Sequence, residues 1–136
     1  PVGIKAEADF PKDGAFVFGF YTDIRRALSN LLENSVKYVS SARESGGRIK
    51  FTLEESGDFW RFTVDDNGPG IPIGEEKIIF ERFRRGDLHR ARNGGKTGGY
   101  GLGLSISSRI AERHGGTLEL AASKLGGACF TMTIHK

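Results

Sequence analysis

The chain is poor in cysteine and proline, and it has no long hydrophobic run. Cys129 is the single cysteine among 136 residues, which excludes an internal disulfide and a cysteine-based metal site and fits a reducing compartment. No apolar run approaches the length of a transmembrane helix, and no signal peptide is visible. With four prolines and 38% hydrophobic residues, the composition is that of one folded domain over residues 1–136, not of a structureless chain.

Glycine, in contrast, is abundant and clustered. Seven of the 20 glycines fall in residues 86–103, a density typical of a mobile loop or of a backbone that approaches a ligand closely. Residues 82–96 carry six Lys or Arg against one acid, whereas the whole chain has a net charge of +3. A basic loop on a near-neutral body indicates an anionic partner, either a phosphorylated small molecule or a nucleic acid. A merely solvated loop is the alternative.

The spacing of apolar residues predicts strands and helices that interleave. Strands are predicted at Ile4–Phe10, Arg48–Glu54, Phe59–Asp65, Thr117–Ala122 and Cys129–Ile134, and helices at residues 23–39, 75–84 and Leu102–His114. Thr22 or Asp23 is the expected N-cap of the first helix, and Gly115-Gly116 is the expected stop of the last. Two hairpins among the strands favour a mixed, mostly antiparallel sheet with the helices packed on one face, which is an α/β two-layer sandwich.

The first predicted helix has two distinct faces at about 100° per residue. Its apolar face consists of Ile24, Leu28, Leu31, Leu32, Val36 and Val39. Roughly opposite lie Asn30, Asn34, Lys37 and Tyr38. Asparagine oxygens bind hard cations such as Mg²⁺, lysine supplies a point charge for phosphate and tyrosine can stack, so this face suits a nucleotide. A merely polar surface is the alternative.

The run Asp66-Asn67-Gly68-Pro69-Gly70 follows a predicted strand. Gly68 and Gly70 permit a tight turn that brings the backbone close to a flat ligand, and an ionised Asp66 accepts hydrogen bonds only. Asp66 would therefore suit an exocyclic amino group, which adenine has and guanine lacks at that edge. An ordinary turn is the alternative.

A second glycine run, Gly98-Gly99-Tyr100-Gly101-Leu102-Gly103-Leu104, leads into the last predicted helix. Backbone amides at a helix N-terminus, together with the positive end of the helix dipole, bind phosphate. Two other phosphate motifs are excluded. A Walker A loop ending at Gly95-Lys96-Thr97 needs a glycine where Arg90 stands, and the dinucleotide-binding pattern fails at Leu104.

Four segments together resemble the motifs of sensor histidine kinases. Asn30–Tyr38 resembles the N box, Asp66–Gly70 the G1 box, Phe80–Asp87 the F box and Gly99–Leu104 the G2 box. They occur in the family order, with family-like spacing, over nearly the whole chain. The resemblance implies the Bergerat ATP-binding fold of the GHKL ATPases, with a flexible ATP lid at residues 84–100 anchored by Phe80 and Phe83.

The same resemblance implies a pocket for the adenine base. Asp66 would bind the adenine amino group, and Gly68, Gly70 and Ile71 would line the pocket. Tyr38 would lie beside the base.

At the phosphate end, the resemblance implies three catalytic residues, Asn34, Lys37 and Arg85. Asn34 would hold Mg²⁺ with Asn30 beside it, while Lys37 and Arg85 would reach the phosphates. Backbone contacts to the nucleotide would come from Gly99, Gly101, Leu102, Gly103 and Leu104.

Two positions depart from the patterns of related ATPases. Relatives that hydrolyse ATP have a glutamate four residues before the Mg²⁺ asparagine, whereas this chain has Asn30, which cannot serve as a general base. The sequence therefore favours holding ATP for transfer over hydrolysing it. Tyr100 stands where the family usually has Thr or Ser, which keeps open a degenerate nucleotide-binding or docking module without phosphotransfer.

The phosphoacceptor histidine of such kinases is expected on another domain. None of His89, His114 and His135 resembles it, and each is predicted to be a surface residue. The expected partners are ATP or ADP, the histidine-containing dimerisation domain of the parent kinase and indirectly a response regulator, with no nucleic acid. Because the first residue is Pro1 rather than Met, we expect a piece of a longer protein, monomeric by itself and cytoplasmic, with any membrane anchor elsewhere in the parent.

Overall fold

A computed structural model describes residues 3–14, 19–42, 45–70 and 102–136. Within them the chain forms β1 (Ile4–Asp9), α1 (Tyr21–Ala42), β2 (Gly47–Ser56), β3 (Phe59–Asp66), α2 (Leu102–Arg113), β4 (Leu118–Ala122) and β5 (Ala128–His135). The predicted helix at residues 75–84, the predicted ATP lid at 84–100 and the F-box residues Phe80 and Phe83 lie outside the described residues.

The strands form one five-stranded sheet in the order β1-β2-β3-β5-β4. β1 pairs with β2 in parallel, and the other three pairs are antiparallel. Both described helices pack against the sheet and against each other. The prediction of a mixed, mostly antiparallel sheet with helices on one face is therefore confirmed.

The core lies between the sheet and the two helices. Alternate residues of β3 and β5 are buried because successive side chains of a strand point to opposite faces of the sheet. The buried apolar members are Trp60, Phe62, Val64, Ala128, Phe130, Met132 and Ile134. On the helix side they meet Ala27, Leu31, Val39, Leu104, Ile110 and Ala111. The hydroxyl of Ser107 on α2 donates to the carbonyl oxygen of Ala27 on α1 at 3.0 Å, which ties the helices together.

The ends of α1 differ from the prediction. The helix begins at Tyr21 rather than at residue 23, and the amide of Ile24 already donates to the carbonyl of Phe20 at 3.0 Å. The prediction of Thr22 or Asp23 as N-cap is wrong because both residues lie inside the first turn. At the other end α1 continues to Ala42, past the predicted end at residue 39.

The apolar face predicted for α1 is confirmed except at Val36, because Leu31 and Val39 lie in the core and Ile24, Leu28 and Leu32 pack against it. Val36 is 45% exposed, whereas Ser35 and Asn34 are buried. Val36 lies about 100° around the helix from the buried Ser35 and so reaches the surface. Asn34 consequently lies at the border of the packed face rather than opposite it.

The prediction of surface histidines holds for His135 and fails for His114. His135 is exposed, whereas His114 is 9% exposed at the C-terminal end of α2. Both of its ring nitrogens have backbone partners, which satisfies its polar atoms and permits burial. His89 lies outside the described residues.

The stop of α2 follows the prediction. Gly115 has a φ of +77°, a left-handed conformation that glycine adopts without strain, and the amide of Gly116 donates to the carbonyl of Ala111 at 2.8 Å. No helix in the described part of the chain is both long and apolar enough to cross a bilayer.

Candidate nucleotide-binding site

Asp66 is the last residue of β3, and its carboxylate is almost fully buried at 1% exposure. Its Oδ1 accepts a hydrogen bond from the amide of Gly68 at 2.9 Å and another from the amide of Ala128 at 3.1 Å. Its Oδ2 is buried and has no hydrogen-bond partner among the described residues. A buried carboxylate oxygen without a donor is costly, so this atom indicates a place for a ligand that donates a hydrogen bond.

The turn after Asp66 lies directly against α1. A Cβ atom added at Gly68 would lie 3.4 Å from backbone atoms of both Tyr38 and Val39. Gly70 has a φ of +74°, which a residue with a side chain rarely adopts. The glycines therefore bring the predicted base pocket and the predicted polar segment of α1 together.

Asn67 holds this turn to the start of β2. Its side-chain oxygen accepts from the amide of Arg48 at 2.8 Å, and its side-chain nitrogen donates to the carbonyl of Gly46 at 2.9 Å. Its backbone amide also donates to the carbonyl of Arg48 at 3.1 Å. Asn67 thus continues the β2–β3 pairing with its side chain and fixes where the turn begins.

The predicted polar residues of α1 differ in burial. Asn34 is 8% exposed, and its Nδ2 has no hydrogen-bond partner among the described residues. The neighbouring hydroxyl of Ser35 is buried and equally unpartnered within that part of the chain. Asn30 and Tyr38 are partly buried and Lys37 is exposed. The helix therefore offers buried amide and hydroxyl groups and, beside them, one exposed ammonium.

The predicted phosphate-binding residues are described only in part. Ile71, Arg85, Gly99, Tyr100 and Gly101 lie outside the described residues. α2 begins at Leu102, so the amides of Leu102, Gly103 and Leu104 belong to its first turn, where no acceptor exists within the helix. The side chain of Leu104 is fully buried in the core, which leaves only its backbone for the predicted contact.

The donor set fits a magnesium ion that arrives with a nucleotide. No cluster of three or more His, Cys, Asp or Glu that could hold a metal occurs in residues 3–14, 19–42, 45–70 and 102–136. Mg²⁺ in nucleotide sites usually keeps several waters and takes only one or two protein ligands besides the phosphates. The buried side-chain amide of Asn34 carries an oxygen, which is the type of ligand atom that Mg²⁺ takes.

On the opposite face of the sheet, Cys129 pairs with Asp65 in the β3–β5 ladder. Partial burial raises the pKa of the Cys129 thiol from 9.0 to about 11, and the nearby charge of Asp65 adds to the effect. Asp65 also accepts a hydrogen bond from the hydroxyl of Ser123 at 2.7 Å. The thiol is therefore a protonated, weakly nucleophilic group behind the site.

The family described as "Histidine kinase-, DNA gyrase B-, and HSP90-like ATPase" matches residues 19–136. The chain belongs to this family. Its resemblance to sensor histidine kinases is thereby confirmed, and the domain is of the ATP-binding type found in those enzymes.

The similar proteins include a sensory kinase and a sensor protein. The chain is 36% identical over 133 residues to the adaptive-response sensory kinase SasA of Prochlorococcus marinus strain MIT 9313, covering 96% of this chain and 34% of that protein. It is 41% identical over 109 residues to the sensor protein KdpD of Escherichia coli K12, covering 80% of this chain and 11% of that protein. The chain thus spans about a third or less of the length of these relatives.

Solved structures agree with this assignment. A nucleotide-free catalytic domain of the histidine kinase ThkA superposes with a TM-score of 0.75 at 28% identity, covering 98% of this chain and 80% of that one. The ATP-binding domain of PrrB from Mycobacterium tuberculosis gives a TM-score of 0.67 at 26% identity, with 98% and 79% covered. The two-layer arrangement is therefore that of histidine kinase catalytic domains.

Sequence reasoning missed the contribution of Ala128. Its amide, at the first residue of β5, binds the carboxylate of Asp66 62 residues earlier in the chain, and a backbone donor leaves no mark in the identity of its side chain. In the sequence, Asn67 is visible only as part of a turn. Its buried side chain is a structural link, which its type permits but does not by itself indicate.

Proposed function

We propose that this domain binds ATP with Mg²⁺ and donates the γ-phosphoryl group to a histidine on a separate dimerisation domain of the same sensor kinase. The observation that carries the proposal is the buried carboxylate of Asp66, with one oxygen held by two amides and the other without a donor. The exocyclic amino group of adenine is the donor that completes it.

The phosphate end of the nucleotide would lie toward α1 and the start of α2. Lys37 is exposed, and the first amides of α2, which have no acceptor within the helix, are donors of the kind that binds phosphate. Asn34 would contribute to holding Mg²⁺, which neutralises phosphate charge. Arg85, Gly99 and Gly101 complete the proposed set from the segment before α2.

Transfer rather than hydrolysis is favoured because Asn30 replaces the residue that would activate water. In the proposed step a histidine nitrogen attacks the γ-phosphorus, and the bond from that phosphorus to the β–γ bridging oxygen breaks. ADP leaves, and the proton of the attacking imidazole passes to a base of the acceptor domain. The chain's own residues position the nucleotide and stabilise charge, which is how most phosphoryl transfer is accelerated.

The proposal places the domain in the cytoplasm as part of a two-component system. The phosphohistidine formed on the dimerisation domain would then pass its phosphoryl group to the aspartate of a response regulator. Both of these partners are proposed on the strength of the family and of the named relatives.

The test has two stages. Calorimetric titration of the chain with ADP and with a non-hydrolysable ATP analogue, each with and without Mg²⁺, should show magnesium-dependent binding that Asp66→Ala abolishes. Incubation with Mg-ATP and a purified histidine-containing domain of the parent protein should then produce acid-labile phosphohistidine on that domain. Absence of adenine-nucleotide binding would refute the proposal, and binding without transfer would leave a docking module.

A further inference from the structure

The end of the turn between β4 and β5 and the first residue of β5 together hold Asp66 at two points. The amide of Gly127 donates to the backbone carbonyl of Asp66 at 3.0 Å, and the amide of Ala128 donates to its Oδ1 at 3.1 Å. The turn is itself braced, because the amide of Ser123 donates to the carbonyl of Gly127 at 2.8 Å. Main chain and side chain of Asp66 are thus both fixed from the same short segment.

Gly127 has no room for a side chain. A Cβ atom added there would lie 2.6 Å from both the carbonyl oxygen of Asp66 and the amide nitrogen of Gly68, and it would overlap Oδ1 of Asp66. Two of these three atoms belong to the backbone, so a change of rotamer cannot relieve the overlap. The backbone of Gly127 does not have a positive φ, which means that glycine is required here for space and not for conformation.

The consequence is a carboxylate with unequal oxygens. Oδ1 accepts from Gly68 on one side and from Ala128 on the other, whereas Oδ2 has no donor among the described residues. Rotation of the carboxylate would break both hydrogen bonds at once. The turn therefore presents a single acceptor atom in one orientation before any ligand arrives.

We propose that Gly127 and the amide of Ala128 are positioning residues that make the site selective for a base with an amino group. This inference rests on the proposed nucleotide-binding function. A base with an amino group at the edge facing Oδ2 gains a charge-assisted hydrogen bond. A base with a carbonyl there places two acceptors against each other, and a base with only hydrogen there leaves Oδ2 unsatisfied.

The test compares ADP with purine riboside diphosphate, which lacks the amino group, in calorimetric titrations with Mg²⁺. The wild-type chain should bind ADP at least about tenfold more tightly, as one charge-assisted hydrogen bond would give. Gly127→Ala should weaken ADP binding by about the same factor and change the affinity of the analogue by less than about twofold. The selectivity ratio should therefore fall toward one.

Gly116→Ala is the matched control. A Cβ atom there would overlap the backbone carbonyl of Thr133, so this variant also strains the sheet, but at a place remote from Asp66. It should lower stability and keep the wild-type selectivity ratio. The inference would be overturned if Gly127→Ala lost affinity for ADP and for the analogue equally, or if it kept the wild-type selectivity ratio. The proposed function would stand in either case.

Two further outcomes are decisive. If the wild-type chain binds no adenine nucleotide, the proposed function fails and the inference fails with it. If circular dichroism shows that Gly127→Ala does not fold, amide hydrogen exchange in the nucleotide-free chain tests the positioning role instead. The amides of Gly68 and Ala128 should exchange at least about tenfold faster in Asp66→Ala than in wild type, and unchanged rates would refute the positioning role.

Discussion

The Nε2 atom of His114 accepts a hydrogen bond from the backbone amide of Phe20, 3.2 Å away and 94 residues earlier in the chain. Because Nε2 is the acceptor, the proton is on Nδ1, which donates to the carbonyl of Ile110 at 2.8 Å. The rings of Phe20 and His114 also meet edge to face with centroids 6.4 Å apart. One neutral imidazole thus connects the end of α2 to the beginning of α1.

Replacing His114 by alanine should destabilise the domain by about 2–3 kcal/mol, because the amide of Phe20 loses its acceptor and a cavity forms. Urea unfolding followed by circular dichroism measures the change. His135→Ala is the control, since His135 is exposed, and it should change the unfolding free energy by less than about 0.5 kcal/mol. Equal effects of the two substitutions would contradict the role assigned to His114.

Replacing Asn67 by alanine should cost about 1–3 kcal/mol, because the amide of Arg48 and the carbonyl of Gly46 both lose their side-chain partner. The same unfolding measurement applies, with Glu119→Ala on an exposed position of β4 as the control. A loss no greater than that of the control would show that water replaces Asn67 without cost.

Replacing Lys37 by alanine should weaken ATP binding about tenfold, because one positive charge near the phosphates is removed. Its side chain is exposed, so the unfolding free energy should change by less than about 0.5 kcal/mol. Calorimetry with ATP and with adenosine separates the two ends of the ligand, since adenosine binding should be unaffected. Lys50→Ala, on an exposed position of β2, is the control, and a similar loss of ATP affinity in both variants would argue against a phosphate contact.

Cys129 should react slowly with iodoacetamide in the folded state. With its thiol pKa raised from 9.0 to about 11, on the order of 0.1% is thiolate at pH 8, against about 10% at the ordinary value. Mass spectrometry should therefore find alkylation about 100-fold slower in buffer than in concentrated urea. Asp65→Asn should speed the alkylation of the folded chain, because the charge of Asp65 contributes to the raised pKa of the thiol.

The same shift has a consequence for stability at alkaline pH. The folded state keeps the Cys129 proton at pH values where the unfolded chain has lost it. Unfolding therefore becomes easier as the pH rises from about 9 to about 11. Cys129→Ala should lack this part of the pH dependence. An alkylation rate in the folded state close to that in urea would contradict both expectations.

The order of the elements and the type of sheet could be predicted from the sequence, because both depend on the spacing of apolar residues and turns along the chain. The alternation in β3 and β5 decides which side chains share a face, and glycine at residue 115 ends α2 through its own φ angle. The motifs around Asn34 and Asp66 were likewise visible in the residue types. These features belong to segments of a few residues, so the chain's local chemistry is sufficient to predict them.

By itself, then, the sequence determined the strands, the helices, the family and the chemical groups available to a nucleotide. Only the tertiary structure decided that His114 is buried, that Val36 is exposed and that Ala128 holds Oδ1 of Asp66. Those outcomes depend on the rotation of a helix against a sheet and on where a distant turn meets a strand end. Backbone donors and packing angles arise from contacts across the fold, and the identity of a single residue does not record them.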